Sequence, residues 1–125
     1  MRPQLAQARA LLDGRMSVKG HSARAAAWLT RSALEDIVRE LVRAKGAEPG
    51  RASNRSVLSC LEVLYGDQSD LVVDAQYAWD ALSRAAHHHA YELAPTVAEV
   101  TDLMRRVNSL DQLSKDSPTQ VVMGA

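Results

Sequence analysis

Apolar residues recur along this chain at intervals of three and four, separated by charged and hydroxyl side chains. That period marks helices that each bury one face. Leu5, Ala8, Leu11 and Leu12 predict a short first helix over residues 3–13. Proline suits its first turn and Gly14 its end. After a loop at 16–20, a long second helix is expected from residue 21 or 22 to residue 45. Ser22 is placed to cap it, and Gly46 follows a last turn rich in Arg and Lys that complements the helix dipole. Its stripe reads Ala25, Trp28, Leu29, Ser32, Ala33, Ile37, Leu41 and Val42. Trp28 is expected to anchor the core, with an edge also able to stack on a base. Arg24, Arg31, Arg39 and Arg43 fall mostly elsewhere, and Glu35 is spaced to pair with Arg39.

Ala47-Glu48-Pro49-Gly50 is a strongly punctuated turn. A third helix is predicted over residues 54–65, capped by Ser53, with Val57, Leu58, Leu61 and Leu64 inside. A fourth, over residues 70–93, should bury Leu71, Ala75, Ala78, Trp79, Leu82 and Ala86. Thr96 with Glu99 three residues later forms a capping box for a fifth. The stripe of that helix is Val97, Val100, Leu103, Met104, Val107 and Leu110. No strand-like alternation, glycine-rich phosphate loop or internal repeat is found. The expected fold is all-α, a four- to five-helix antiparallel bundle with short connections and the long second and fourth helices at its centre. Residues 1–113 read as one domain, and residues 114–125 as a disordered tail.

Composition narrows this further. At 125 residues the chain makes one domain with a real core, and alanine and leucine dominate in the absence of any phenylalanine. That favours close helix packing over a β-sandwich. No apolar run approaches the roughly 18 residues that span a bilayer, and the first residues lack a signal peptide's apolar segment. The single cysteine, Cys60, excludes an internal disulfide and fits a reducing compartment, so a cytoplasmic protein without membrane contact is expected. Its spacing from Val57, Leu61 and Leu64 suggests a buried small hydrophobe. The net charge is zero but unevenly spread. Residues 1–55 carry eleven Lys/Arg against five Asp/Glu, and residues 56–125 carry four against ten. The halves should attract each other, and only the first offers the basic surface that RNA prefers.

The chemistry concentrates at residues 80–95, which hold three of the four histidines, Arg84 and Pro95. Imidazole trades protons near neutrality, and a guanidinium stays charged and offers a planar fork suited to phosphate. Neighbours on a helix point about 100° apart, so His87, His88 and His89 cannot chelate one ion together. His21 and Cys60 remain only as remote ligands, and no metal or cofactor is expected. The same geometry puts Arg84 on one face with Asp80, His88 and Tyr91, whereas His89 follows the apolar stripe of Leu82 and Ala86. In an unbroken helix, Arg84 and His89 of one chain therefore diverge. They converge if the helix breaks near residues 87–89, or if the arginine meets a partner chain's histidine.

Arg84, His89 and Tyr91 form the pattern Arg-x4-His-x-Tyr, which in a small all-helical protein resembles the HEPN family of helical nucleotide-binding and RNase domains. The resemblance covers roughly residues 20–110 and implies metal-independent endoribonuclease chemistry or RNA binding. His89 would take the 2′-hydroxyl proton while Arg84 stabilises the charged transition state. It also implies a homodimer whose two motif copies share a cleft, and a toxin–antitoxin or defence setting with a nucleotidyltransferase-like antitoxin as partner. Ala85 stands where the family often carries a polar residue after the arginine, which leaves a degenerate, non-catalytic member open. The histidine remains open too: motif spacing nominates His89, and regular helix geometry nominates His88. The alternative reading is a non-catalytic helical dimerisation or interaction module. A weaker third is a regulatory protein binding a ligand between the second and fourth helices.

Overall fold

A computed structural model of the chain describes residues 1–14, 22–87 and 95–116. These form five α-helices and no strand: α1 (Pro3–Leu12), α2 (Ser22–Ala44), α3 (Asn54–Leu64), α4 (Ser69–Ala86) and α5 (Val97–Asp116). The all-α bundle expected from the periodicity is what the chain makes. None of these helices is long and apolar enough to cross a membrane.

The centre is α2, which packs against each of the other four helices. It buries two adjacent rows, Ala26, Thr30, Ala33, Ile37 and Leu41 beside Ala27, Leu34, Val38 and Val42. The alanines let neighbouring backbones approach closely, and Thr30 satisfies its hydroxyl on the carbonyl of Ala26 at 2.7 Å. Polar contacts give the helix directions. Arg2 reaches Glu40 and Gln4 reaches Asp36, so α1 runs antiparallel to α2. Arg24 reaches the end of α4 while Arg31 lies over Trp79, so α4 is antiparallel to α2 as well. Short polar motifs fix the ends. The Ser53 hydroxyl accepts the Ser56 N–H, and Thr96 accepts the Glu99 N–H at 3.0 Å. Past α2, Gly46 takes φ +88° while its N–H and that of Ala47 bond to Arg43 and Val42. This is a left-handed termination that strains any residue with a Cβ.

Several expectations shift by a fraction of a helical turn. Trp28 is 60% exposed and not a core anchor. The buried arc of α2 is centred nearer Ala26, Thr30 and Ala33, and Trp28 projects off it. Cys60 is exposed, because α3 turns Val57, Leu58 and Leu61 inward and leaves Cys60 at the flank. Val97 is exposed at the first turn of α5, where the stripe has not yet met a neighbour. Glu35 pairs with Arg31, at 3.0 Å, and accepts from Asn54. Arg39 donates instead to Ala52 (2.7 Å), Gly50 and Asn54, tying down the turn before α3. Helix α5 continues to Asp116, two residues beyond where the polar sequence suggested fraying.

One aromatic ring joins α3 to α2 through the core. Tyr65 is buried, donates its hydroxyl to the Leu41 carbonyl at 2.7 Å, and carries the Lys45 ammonium over its ring. Burial raises its pKa above the usual phenol value, so the folded chain keeps a proton that the unfolded chain gives up at about pH 10. This contribution is therefore fully present below about pH 10 and is lost as the pH rises through the folded value. Tyr65→Phe should cost about 1 kcal/mol at neutral pH through the lost hydrogen bond. It should also flatten part of the alkaline loss of stability, as measured by urea melts at about pH 8 and about pH 11. An unchanged alkaline slope would assign that loss to other groups.

Candidate functional site

The predicted chemical stretch begins in the last turn of α4. Arg84 is exposed there and makes no ion pair or hydrogen bond among the described residues. The helix then stops. His87 is its C-cap, in extended conformation at φ −79° and ψ 144°, with its N–H bonded to the Ser83 carbonyl. The expectation of a fourth helix reaching residue 93 is corrected accordingly: α4 ends at Ala86. His88, His89 and Tyr91 lie outside the described residues. The break removes the premise that set His88 one helical turn beyond Arg84, and with it the geometric preference for His88 over His89.

The stop is held by a residue that the sequence reading placed off the stripe. A helix end leaves its last carbonyls without intrahelical donors. Arg24, projecting from the first turns of α2, donates to the carbonyls of Ala85 (3.3 Å) and His87. A fixed cation at a helix C-terminus also complements the helix dipole. Both bonds leave one terminal nitrogen, Nη1, which reaches two carbonyls two residues apart.

Arg24 begins a row on α2. Trp28, Arg31 and Glu35 follow at spacings of four, three and four, which puts all four side chains on one face. This face borders the groove between α2, α3 and α4. Arg31 lies over the Trp79 ring at 5.5 Å and Arg55 of α3 at 5.7 Å. Trp79, expected in the apolar stripe, is partly buried at the edge of the core, and its indole N–H has no acceptor among the described residues. The fold thus carries Arg24, Arg31 and Arg55 from the basic half of the chain to the flank of α4 that leads to Arg84. Sequence reasoning registered these arginines as charge. Their row on α2 was legible from the spacing, but the element they face was not.

Beside Trp79 lies an open groove of about 140 Å³, lined by Arg55, Leu58, Ser59, Gln76, Trp79 and Asp80. Among the described residues no cluster of three or more His, Cys, Asp or Glu side chains is arranged to hold a metal ion. Fold and site together define a small helical bundle with an arginine-bearing, aromatic flank beside Arg84, which is unpaired among the described residues. Comparison with family models, with curated proteins and with solved structures finds no match.

The Arg24 clamp makes a local prediction. Arg24→Ala should lower stability by about 1–2 kcal/mol, the range for losing hydrogen bonds to a charged donor on a partly exposed site. It should also speed amide exchange at residues 84–87 more than elsewhere, as read by hydrogen–deuterium exchange. Arg24→Lys should rescue in part, since an ammonium can also donate to both carbonyls from one nitrogen. Unaltered exchange at the end of α4 in the alanine variant would show that the helix stops without the clamp.

Proposed function

We propose that this chain is an RNA-binding helical module of the HEPN type, acting as a metal-independent endoribonuclease through Arg84 and His89. The observation that carries the reading is Arg84 itself, an exposed guanidinium free of ion pairs among the described residues, at a helix end that breaks before the histidines. A structural arginine on this face would be expected to take a carboxylate such as Asp80, one turn earlier. An unpaired guanidinium is available to a phosphate, and its fork matches two phosphate oxygens.

The flank supplies the rest of what a single strand of RNA needs. Arg55 provides positive charge along the groove, and exposed Trp28 offers a face on which a base can stack. In the chemistry proposed, His89 takes the proton from the 2′-hydroxyl and that oxygen attacks the adjacent phosphorus. The bond to the 5′-oxygen breaks, leaving a cyclic phosphate and a 5′-hydroxyl that takes up a proton. Arg84 stabilises the charge that builds on the phosphoryl oxygens. A second copy of the chain, bringing its own motif to the same cleft, fits the family resemblance, as do a toxin–antitoxin role and a nucleotidyltransferase-like partner.

One observation favours the alternative of a non-catalytic interaction module. Val73 and Tyr77 stand one turn apart and exposed on α4, with Val63 exposed on α3, an apolar surface suited to another protein.

The decisive measurement is incubation of purified protein with RNA in the presence of a chelator. Wild type should cleave. Arg84→Ala should abolish cleavage with little change in melting temperature, because the side chain is exposed. His89→Ala should cost about 10²-fold or more, as for loss of a general base, and His88→Ala much less. Absence of cleavage by wild type, or equal and negligible effects of the three substitutions, would leave the interaction module as the reading.

Self-association supplies a separate check. Light scattering at micromolar concentration should report a dimer, and a monomer throughout would remove the shared cleft.

A further inference from the structure

Between α3 and α4 the chain brings together a set of side chains that the Arg84 chemistry does not use. Arg55 from the first turn of α3 and Asp80 from the middle of α4 line the same groove of about 140 Å³ beside Trp79. Neither side chain takes part in an ion pair or a hydrogen bond among the described residues, although they carry opposite charges. Arg55 is instead held over the indole at 5.7 Å. Ser59 and Gln76, which both donate and accept, complete the polar lining, and Leu58 contributes an apolar contact. The indole also borders a narrow recess lined by Glu35, Val38, Asn54, Val57 and Leu58.

We infer that this groove is a nucleobase-binding subsite that prefers guanine. The volume is well below the roughly 300–1,000 Å³ of pockets for whole drug-sized ligands, so it suits a single planar group. The two opposite charges, unpaired with each other, specify the edge. A carboxylate accepts and cannot donate, whereas a guanidinium donates and cannot accept. The occupant must therefore show donors to Asp80 and acceptors to Arg55. Guanine does so best, with N1–H and the 2-amino group side by side on one edge and O6 and N7 on the next. Adenine lacks the paired donors. Cytosine offers one amino group and uracil one imino group. The inference rests on the RNA-binding reading only for the source of the base, since a free nucleotide presents the same edges.

The test uses the full chain and the four nucleoside monophosphates, in chelator, followed by titration calorimetry. GMP should bind, CMP more weakly, and AMP and UMP least. Asp80→Asn and Arg55→Gln should each weaken GMP binding by about tenfold or more, the range for losing one bidentate contact to a base. Both positions are exposed, so the melting curves should stay close to wild type and separate a binding defect from misfolding. No binding of any nucleotide up to about 1 mM, or equal binding of all four that ignores Asp80→Asn, overturns the inference. RNA cleavage by wild type that is unchanged in both variants, alongside absent GMP binding, would overturn the subsite and leave the nuclease intact. GMP binding that depends on Asp80 in a protein that cuts no RNA would support the subsite and remove the nuclease.

Discussion

A helix of 23 residues that buries nine of its side chains in two adjacent rows cannot be satisfied by a single neighbour. One packed helix covers one row of ridges, so α2 needs partners on several sides, and the other four helices supply them. The rest of the architecture follows from that demand. The short α1 closes one side through Leu5, Ala8 and Leu11. Helix α3 crosses near the C-terminal half and is locked by Tyr65, while α4 and α5 cover the remainder with aliphatic stripes. Removing bulk from Ile37 or Leu34 would leave a void seen by more than one interface, which is why packing density at such positions matters more than local helix propensity.

Charge works in the same direction. The basic and acidic halves of the sequence meet inside one chain, at particular pairs. Arg2 joins Glu40 to Asp111, whose carboxylate is fully buried, and Lys115 stands 3.5 Å from the same group. Hydrogen bonding to Glu40, and then to Asp111, holds the Arg2 charge more firmly than usual against the opposing cost of burial. A buried carboxylate without its cation would be strongly unfavourable, so α1 is pinned to α2 and α5 at one end of the bundle. At the other end Arg24 performs the corresponding service for α4. Both devices use an arginine from the first half of the chain to satisfy oxygens of the second.

That second device links fold to chemistry. Helix α4 ends at Ala86 with His87 as its C-cap, and Arg24 donates to the carbonyls at that end. Arg84 has no ion pair among the described residues, while Arg31 and Arg55 lie over Trp79. A flank built in this way offers two kinds of cation. One is exposed and unpaired among the described residues, and the other is held over an aromatic ring.

The sequence by itself determined the number, order and approximate ends of the helices. A 3.6-residue period, a proline or glycine at a boundary and a hydroxyl cap are local signals, and local hydrogen bonding answers to them. Ser53 and Thr96 cap as their positions imply, and the aliphatic stripes of α3 and α5 are buried apart from their ends. Within the candidate site, the concentration of arginine and histidine after Asp80 was visible by residue type alone. The phase of each buried arc was not. Trp28 and Cys60 lie at the edge of their stripes, where a rotation of a fraction of a turn decides between core and solvent. That rotation is set by which neighbours pack on either side. The early end of α4 was equally hidden, since no glycine or proline stands at residues 86 or 87 and the stop is held by a side chain 63 residues away. The meeting of Arg55 with Trp79 and Asp80 likewise required α3 and α4 to be brought together. Spacing along one helix defines which residues share a face, but only packing between helices decides what that face meets.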